Sequence, residues 1–328
     1  MNEYKVVEKS RQDMEIHKKN HNDLVKTTIK HLTNPKLIQK IIDRVELTDY
    51  DYDYNLFSLL NGYVFRGCIS FKLYLSQKCV EERQNEYLNK INNLACKYRV
   101  KYFLDALGIK YLGDKIPRLK HNLIISNNIV IKPIDFSSAY HCYLVFTPTE
   151  IQCLNPKKNF ESVTDVIKFM PDKWYVIEPL IKYQDKKVID IKFYAFYGFI
   201  GSIVYITNEP TKTLQYVYIT SEKPLNYWIK FFNIDPNLVT EVIRISLEIP
   251  TEFVRIDYLL GNDGYYFGEL TLKPGSFSKK PAQEDYLMGQ YILQAKERLF
   301  RDMLNGKSFD SYKKFLAKLN EIPSLDML

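Results

Sequence analysis

Cysteine is scarce in this sequence and forms no framework. The 328 residues hold five, Cys68, Cys79, Cys96, Cys142 and Cys153, an odd number with no C-x-x-C spacing. That excludes a disulfide-stapled scaffold and a zinc knuckle, and reads as reduced thiols in a cytosol. Long apolar runs are missing too. The longest uncharged stretch, Phe193 to Asn208, is interrupted by Gly198 and Gly201 and falls short of the ~20 residues a membrane helix needs. The beginning, Met1 to Arg11, is polar and charged, which predicts no cleaved signal peptide. Internal repeats, a low-complexity tail and any recognisable Ser-His-Asp or Cys-His constellation are absent. A soluble, cytoplasmic protein with no membrane span is expected.

Nor is there a strong excess of one charge. The formal net charge is +7 with a pI near 8.8, a mild balance that suits an acidic substrate such as a nucleotide or a polyanion. Basic residues are dispersed, and no RNP or helix-turn-helix pattern is present, so no nucleic-acid partner is expected. What is present is ordinary globular material: 46% hydrophobic and 26% charged residues, with a length that suits two or three lobes around sizeable cores.

Apolar residues Leu24, Ile29, Leu32, Leu37, Ile38, Ile41 and Ile42 recur at roughly helical spacing, and Asn34-Pro35 is a natural break. His17 and His21 share one helical face but have no acidic or cysteine partner at ligand spacing, so a solvated face is the plain reading. Asp49 to Tyr54, alternating Asp and Tyr, reads as a surface linker. Residues 80 to 107 look helical and end at Gly108. From about 121 the texture turns to short β-rich runs: Leu123–Ile125, Ile129–Lys132, Trp174–Ile181, Val188–Tyr197, Ser202–Thr207, Leu214–Thr220, Phe253–Leu260 and Tyr265–Leu272. Val163–Phe169, Pro236–Ile249 and Pro281–Leu304 read as helices. Strands with scattered helices indicate an α+β fold. The expected organisation is a helical N-terminal extension over 1–65, a mostly helical lobe over 66–120, a central subdomain over 121–182 and a C-terminal subdomain with closing helices over 183–328.

The most informative stretch runs from Phe253 to Thr271. Two β-rich runs flank Asn262-Asp263-Gly264, and a three-residue hairpin loop places Gly264 where a left-handed residue is needed. Gly261 then pairs with Tyr265, Asp257 lies opposite Glu269, and Arg255 lies opposite Thr271. Directly opposed residues share a face with β-carbons roughly 4.5–5.5 Å apart, so two carboxylates, a guanidinium and a hydroxyl crowd one patch. Like charges so placed call for a cation, and oxygen ligands favour Mg²⁺ over zinc. A two-residue turn would instead shift the register by one and set the carboxylates on opposite faces.

Two weaker features accompany it. Asn128-Ile-Val-Ile-Lys132-Pro133 is a strand ending in a lysine, followed by the small-residue loop Asp135-Phe-Ser137-Ser138-Ala139; such a lysine can hold phosphate oxygens while backbone N–H and hydroxyl groups close over them. Trp174-Tyr-Val-Ile-Glu178-Pro-Leu180-Ile181 ends an apolar strand in a carboxylate that could meet a purine and ribose. Asp190 and Lys192 share one strand face, as a site pair or as a salt bridge on an exposed edge.

In this order the pieces resemble the ATP-grasp superfamily, and specifically its TupA-like family associated with teichuronopeptide synthesis. The matching motifs are Lys97-Tyr98-Arg99-Val100, Ile131-Lys132, Ile177-Glu178-Pro179-Leu180, Asp190-Ile191-Lys192-Phe193 with Tyr197-Gly198, and the block from Phe253 to Gly275, over roughly residues 90 to 300. The resemblance implies the ATP-grasp fold, with two α+β lobes gripping ATP. It places Lys132 and Lys192 on phosphates or base, with Ser137 and Ser138 in the covering loop. Glu178, Leu180 and Asp190 fall on the adenine and ribose side, and Mg²⁺ on Asp257, Glu269 and Thr271. Arg255 and Lys192 would act at the transferring centre. Two departures stand out: the loop over the phosphates lacks the superfamily's usual glycines, and Thr271 stands where many relatives carry a metal-binding Asn.

The implied activity is an ATP-dependent carboxylate–amine ligase forming an amide through an acyl phosphate. Its substrates would be an amino acid or amine and an acidic polysaccharide, peptide or small carboxylate, an anionic polymer being in keeping with the positive charge. A phosphotransferase with a hydroxyl acceptor shares the first half-reaction, and a non-enzymatic polyanion-binding module is the alternative of a different class.

Overall fold

The structure is a computed structural model that describes residues 90–134, 139–182, 188–207, 213–274 and 282–319, residue 321 and several positions between 70 and 78. The helices expected before residue 48, His17, His21, the Asp49–Tyr54 tract, Cys68, Cys79, Ser137 and Ser138 lie outside the described residues.

The chain divides into two compact units. The first takes in residues 273–300, where Met288, Ile292 and Ala295 are fully buried and the buried Asp285 accepts a hydrogen bond from the Lys72 backbone at 2.7 Å. These residues belong to α5 (Ala282–Leu304).

The second unit, residues 91–272 with 301–328, carries two antiparallel sheets. It opens with a 3₁₀ turn at Asn92–Ala95 and helix α1 (Val100–Leu107), which Gly108 ends in the left-handed conformation at φ 67°. The expected long helix is interrupted among the described residues, Cys96 being extended, while Val100–Leu107 and the Gly108 stop stand as read. Leu123–Ile125, expected as a strand, has no regular structure.

The first sheet has six strands in the order β1-β6-β2-β3-β4-β5: β1 (Arg118–Leu119), β2 (Ile129–Pro133), β3 (Tyr143–Thr147), β4 (Glu150–Leu154), β5 (Lys157–Phe160) and β6 (Trp174–Pro179). The sequence reading assigned nothing to β3–β5, four- and five-residue strands whose support comes from their sheet neighbours. Helix α2 (Val163–Phe169), read correctly, is capped by Ser162, whose Oγ accepts from the Asp165 amide at 3.2 Å. It packs with Ile129, Ile131, Tyr143, Val145 and Tyr175 in one core, which leaves the opposite face of β2 and β6 for polar residues.

The second sheet has five strands in the order β11-β10-β7-β8-β9: β7 (Ile189–Phe196), β8 (Phe199–Thr207), β9 (Thr213–Tyr218), β10 (Val254–Gly261) and β11 (Gly264–Thr271). Helix α3 (Leu225–Phe232) was not foreseen; α4 (Pro236–Leu247) was, with Asp235 as cap and Pro236 in the first turn. The Tyr258 hydroxyl reaches Glu241 of α4 at 2.5 Å, so Ile191, Phe193, Ile256 and Tyr258 form the helix-covered face, all at most 2% exposed. Helix α6 (Asp310–Leu319) closes the unit.

Candidate active site

The hairpin of β10 and β11 reaches the expected register by an unexpected route. Its turn is the two-residue Asn262–Asp263, with Gly261 paired to Gly264 rather than to Tyr265, and Gly264 at φ +134°. That turn alone would have put the two carboxylates on opposite faces. A bulge cancels the shift: Tyr258 pairs with Phe267, the next pair is Asp257 with Glu269, and Gly268 is the extra residue. A β-carbon there would stand 3.1 Å from the Asp257 carbonyl oxygen, which is why glycine suits the bulge. Asp257 thus opposes Glu269 and Arg255 opposes Thr271, as expected.

Across the sheet, Asp257 also pairs with Lys192, Arg255 with Tyr194, and Leu259 with Asp190. Five charged side chains on one face therefore alternate in sign. Lys192 Nζ lies 2.6 Å from Oδ2 of both Asp190 and Asp257. Arg255 grips Asp257 through Nε and Nη2, each at 2.7 Å, and Glu269 Oε1 through Nη2 at 2.6 Å. Thr271 Oγ1 donates to the same Glu269 oxygen at 3.3 Å. Strand β7 lies in the interior of the sheet, so Asp190 and Lys192 are not an exposed-edge salt bridge. The cation expected between the carboxylates is thus represented in this structure by a guanidinium.

The two carboxylates are not equivalent. Asp257 keeps 4% of its side-chain surface exposed and Glu269 42%. Burial pushes the Asp257 carboxyl up to about 6, with Arg255 and Lys192 pulling it back, so it is still ionised at neutral pH. Burial acts the same way on Glu269, but Arg255 and Lys192 prevail and hold it below the usual range. Lys192 is drawn down by burial and up by Asp257 and Asp190, with a net rise. Asp190 Oδ1 is buried with no hydrogen-bond partner among the described residues.

On the first sheet, Lys132 lies opposite Val176 and Glu178 opposite Val130, which makes them diagonal neighbours on the face away from α2. Lys132 Nζ meets Glu178 Oε2 at 2.5 Å. Burial alone would lower the Lys132 ammonium, but Glu178 overrides it and the shift is upward. The Leu180 amide donates to Asn128 O at 2.8 Å, so the backbone donor of that residue is already engaged. Lys132 and Glu269 stand on different sheets yet act on each other's charge, and Lys97 acts on both.

Sequence reasoning assigned no role to Lys97, Lys101 or Gly113. Lys97 Nζ donates to Pro133 O at 2.9 Å, beside Lys132. Lys101 is 3% exposed on the apolar side of α1 with Val100, Leu104 and Leu107; two lysines four residues apart leading into an apolar stripe were the available signal. Gly113, at φ +73°, lies against β6, where a β-carbon would fall 2.2 Å from Ile177 O and 2.8 Å from Glu178 Cγ. Gly113→Ala is therefore expected to destabilise the protein by about 2–4 kcal/mol and to displace Glu178; a denaturant midpoint equal to the parent's would refute that packing.

Asp257 and Glu269 offer hard oxygens, with the Thr271 hydroxyl alongside. Among the described residues no group of three or more His, Cys, Asp or Glu side chains could hold a metal. Two carboxylates and a hydroxyl are the hard oxygen donors that suit Mg²⁺, which binds through one or two carboxylates and completes its shell with phosphates and water.

Basic side chains of two sheets, Lys132, Lys192 and Arg255, thus stand near the acidic pair Asp257 and Glu269. A family model described as TupA-like ATPgrasp matches residues 82–293, and the chain belongs to that family. No curated protein matches the chain. Similar solved structures include a D-alanine–D-alanine ligase from Bacillus anthracis complexed with ATP, 15% identical over 64% of this chain and 68% of that one with a TM-score of 0.39. D-cycloserine synthetase DcsG is 12% identical over 65% and 72%, TM-score 0.35. The ATP-grasp ligase PsnB, complexed with minimal precursor, is 10% identical over 81% and 76%, TM-score 0.38. Among the described residues no helix is long and apolar enough to cross a membrane.

Proposed function

We propose that this protein is an ATP-dependent carboxylate–amine ligase. The observation that carries the reading is the alternating chain Asp190–Lys192–Asp257–Arg255–Glu269 on one sheet face, within electrostatic reach of Lys132 on the other sheet. In ATP-grasp chemistry a carboxylate oxygen attacks the γ-phosphorus, the bond to the bridging oxygen breaks, and ADP leaves. An amine then attacks the acyl phosphate, phosphate departs with the bonding pair, and an amide remains after proton loss. The protein's task is to align oxygens and neutralise charge.

Lys132 would take phosphate oxygens in exchange for Glu178, with Ser137 and Ser138 as further phosphate contacts. Asp257, Glu269 and Thr271 would hold Mg²⁺, which when bound neutralises charge on the triphosphate. Arg255, released from the carboxylates, would face the transferring phosphate, and Lys192, still paired with Asp190, would contact the phosphates. Asp190 Oδ1, which meets no donor among the described residues, would suit a ribose hydroxyl, and Glu178 and Leu180 would line the adenine. Residues 1–65 would carry substrate or partner recognition, since every candidate nucleotide contact lies beyond residue 130; a truncated protein that loses nucleotide binding would refute that division. The substrates we favour are an amino acid or amine and an acidic polymer or small carboxylate, in a cytoplasmic setting.

The test is ATP turnover with Mg²⁺ against a panel of amino acids and uronic acids, with product analysis. Amide plus phosphate is the expected outcome. A phosphoester would assign a kinase, and ATP binding without turnover on any acceptor would count against a ligase.

A further inference from the structure

We propose that Lys101 is a positioning residue that holds the Glu178 carboxylate as an acceptor for the purine, so that the site distinguishes a 6-amino from a 6-oxo base. The inference rests on the nucleotide reading above and adds to it the residue that sets base selectivity.

Two lysines share Glu178, and they are held differently. Lys132 Nζ lies 2.5 Å from Oε2 with its side chain 21% exposed, whereas Lys101 Nζ lies 3.8 Å from Oε1 with 4% exposed. Lys101 is anchored a second time, donating to Asp114 O at 2.8 Å. That carbonyl is in turn fixed by its neighbour Gly113, whose backbone packs against Ile177 and Glu178 too closely for a side chain. A buried ammonium is expensive, and an apolar residue of similar size would serve packing alone as well or better. Burial does pull Lys101 down, with Glu178 opposing.

The difference divides their labour. Lys132, with 21% of its side chain exposed against 4% for Lys101, can turn toward phosphate, and in doing so it releases Glu178 Oε2. Lys101, locked between Asp114 O and Oε1, stays. An ionised carboxylate only accepts hydrogen bonds, so Oε2 then accepts a hydrogen bond from a 6-amino group and repels a 6-oxo oxygen. Without the Lys101 ammonium, Oε1 loses the partner that holds it, and the Glu178 carboxylate is no longer fixed with Oε2 toward the base. A carboxylate free to turn away neither rewards a 6-amino group nor repels a 6-oxo oxygen, and the selectivity disappears.

The experiment is calorimetric binding of ATP and of inosine triphosphate, each with Mg²⁺, to the full-length parent, Lys101→Met, Lys101→Gln, Lys101→Arg and Glu178→Gln. The parent should prefer ATP by at least ~10-fold, since a site with a buried unpaired acceptor rejects the wrong partner strongly. Lys101→Met should lose most of that preference. Lys101→Gln, which keeps a donor for Asp114 O and carries the test if the Met variant does not fold, should lose it as well. Lys101→Arg should retain it. In the Glu178→Gln background, adding Lys101→Met should change the ratio no further, because the two act as one unit. A folded Met or Gln variant with the parent's ATP-to-inosine-triphosphate ratio would overturn the proposal, as would a parent that binds both nucleotides equally. A parent that binds neither would overturn the nucleotide reading itself, and this inference with it.

Discussion

Asp257→Asn is expected to lower ATP turnover by about two to three orders of magnitude while leaving the metal-free protein no less stable than its parent above pH 6. The activity falls because the triphosphate loses an oxygen ligand to the ion that neutralises its developing charge. Stability survives because no cation is stranded: Lys192 keeps Asp190 at 2.6 Å, and Arg255 keeps Glu269 at 2.6 Å. Glu269→Gln should abolish turnover equally but cost a little stability, since Arg255 and Lys192 favour its ionised form and the half-exposed pair is screened by solvent. The pH dependence carries the same signature. The folded Asp257 carboxyl, raised by burial to about 6 from 3.8, binds its proton more tightly than in the unfolded chain. Its stabilising contribution is fully present below about pH 4 and is lost as pH rises through about 6. The parent should therefore lose stability relative to Asp257→Asn across that window. Thermal melts from pH 4 to 7, with and without Mg²⁺ and ATP, measure both effects. Clear destabilisation of Asp257→Asn without metal, together with retained turnover, would sink the metal-pair reading and leave a structural ion-pair network.

Lys132→Ala should weaken ATP binding by about 10- to 100-fold, the worth of a charge-assisted bond or two. The lysine is the next-to-last residue of β2, within electrostatic reach of Glu269, and its Glu178 contact is one a phosphate can replace. The variant should fold, because Lys101 continues to balance Glu178. ATP affinity equal to the parent's in a folded Lys132→Ala protein would remove Lys132 from the site.

Much of the second sheet was legible because its signals are local. Alternation in Val254–Leu260 and Tyr265–Leu270 is a property of neighbouring residues, and so are the Asp235 cap before Pro236 and the left-handed stop at Gly108. The hairpin shows the limit. The Asp257–Glu269 pairing was foreseen from a loop that does not form, and it holds because the bulge at Gly268 restores the register. A glycine inside a strand hints at a bulge, but which pair it separates depends on both strands together. Strands β3 to β5 were missed because four or five residues carry too little pattern until a sheet flanks them.

The sequence by itself determined the α+β class, the family motifs and the set of oxygen-bearing and basic residues available for a nucleotide, because type and spacing along the chain suffice for those. Only the tertiary structure decided how the charges pair. Arg255 bridges two carboxylates because β7, β10 and β11 lie side by side, and Lys132 meets Glu178 because β2 and β6 pair across 46 residues of chain. Lys101 joins them because Gly113 lets its loop approach β6. Electrostatic interactions fall off with distance through space, and distance through space between remote segments is set by packing rather than by position in the chain.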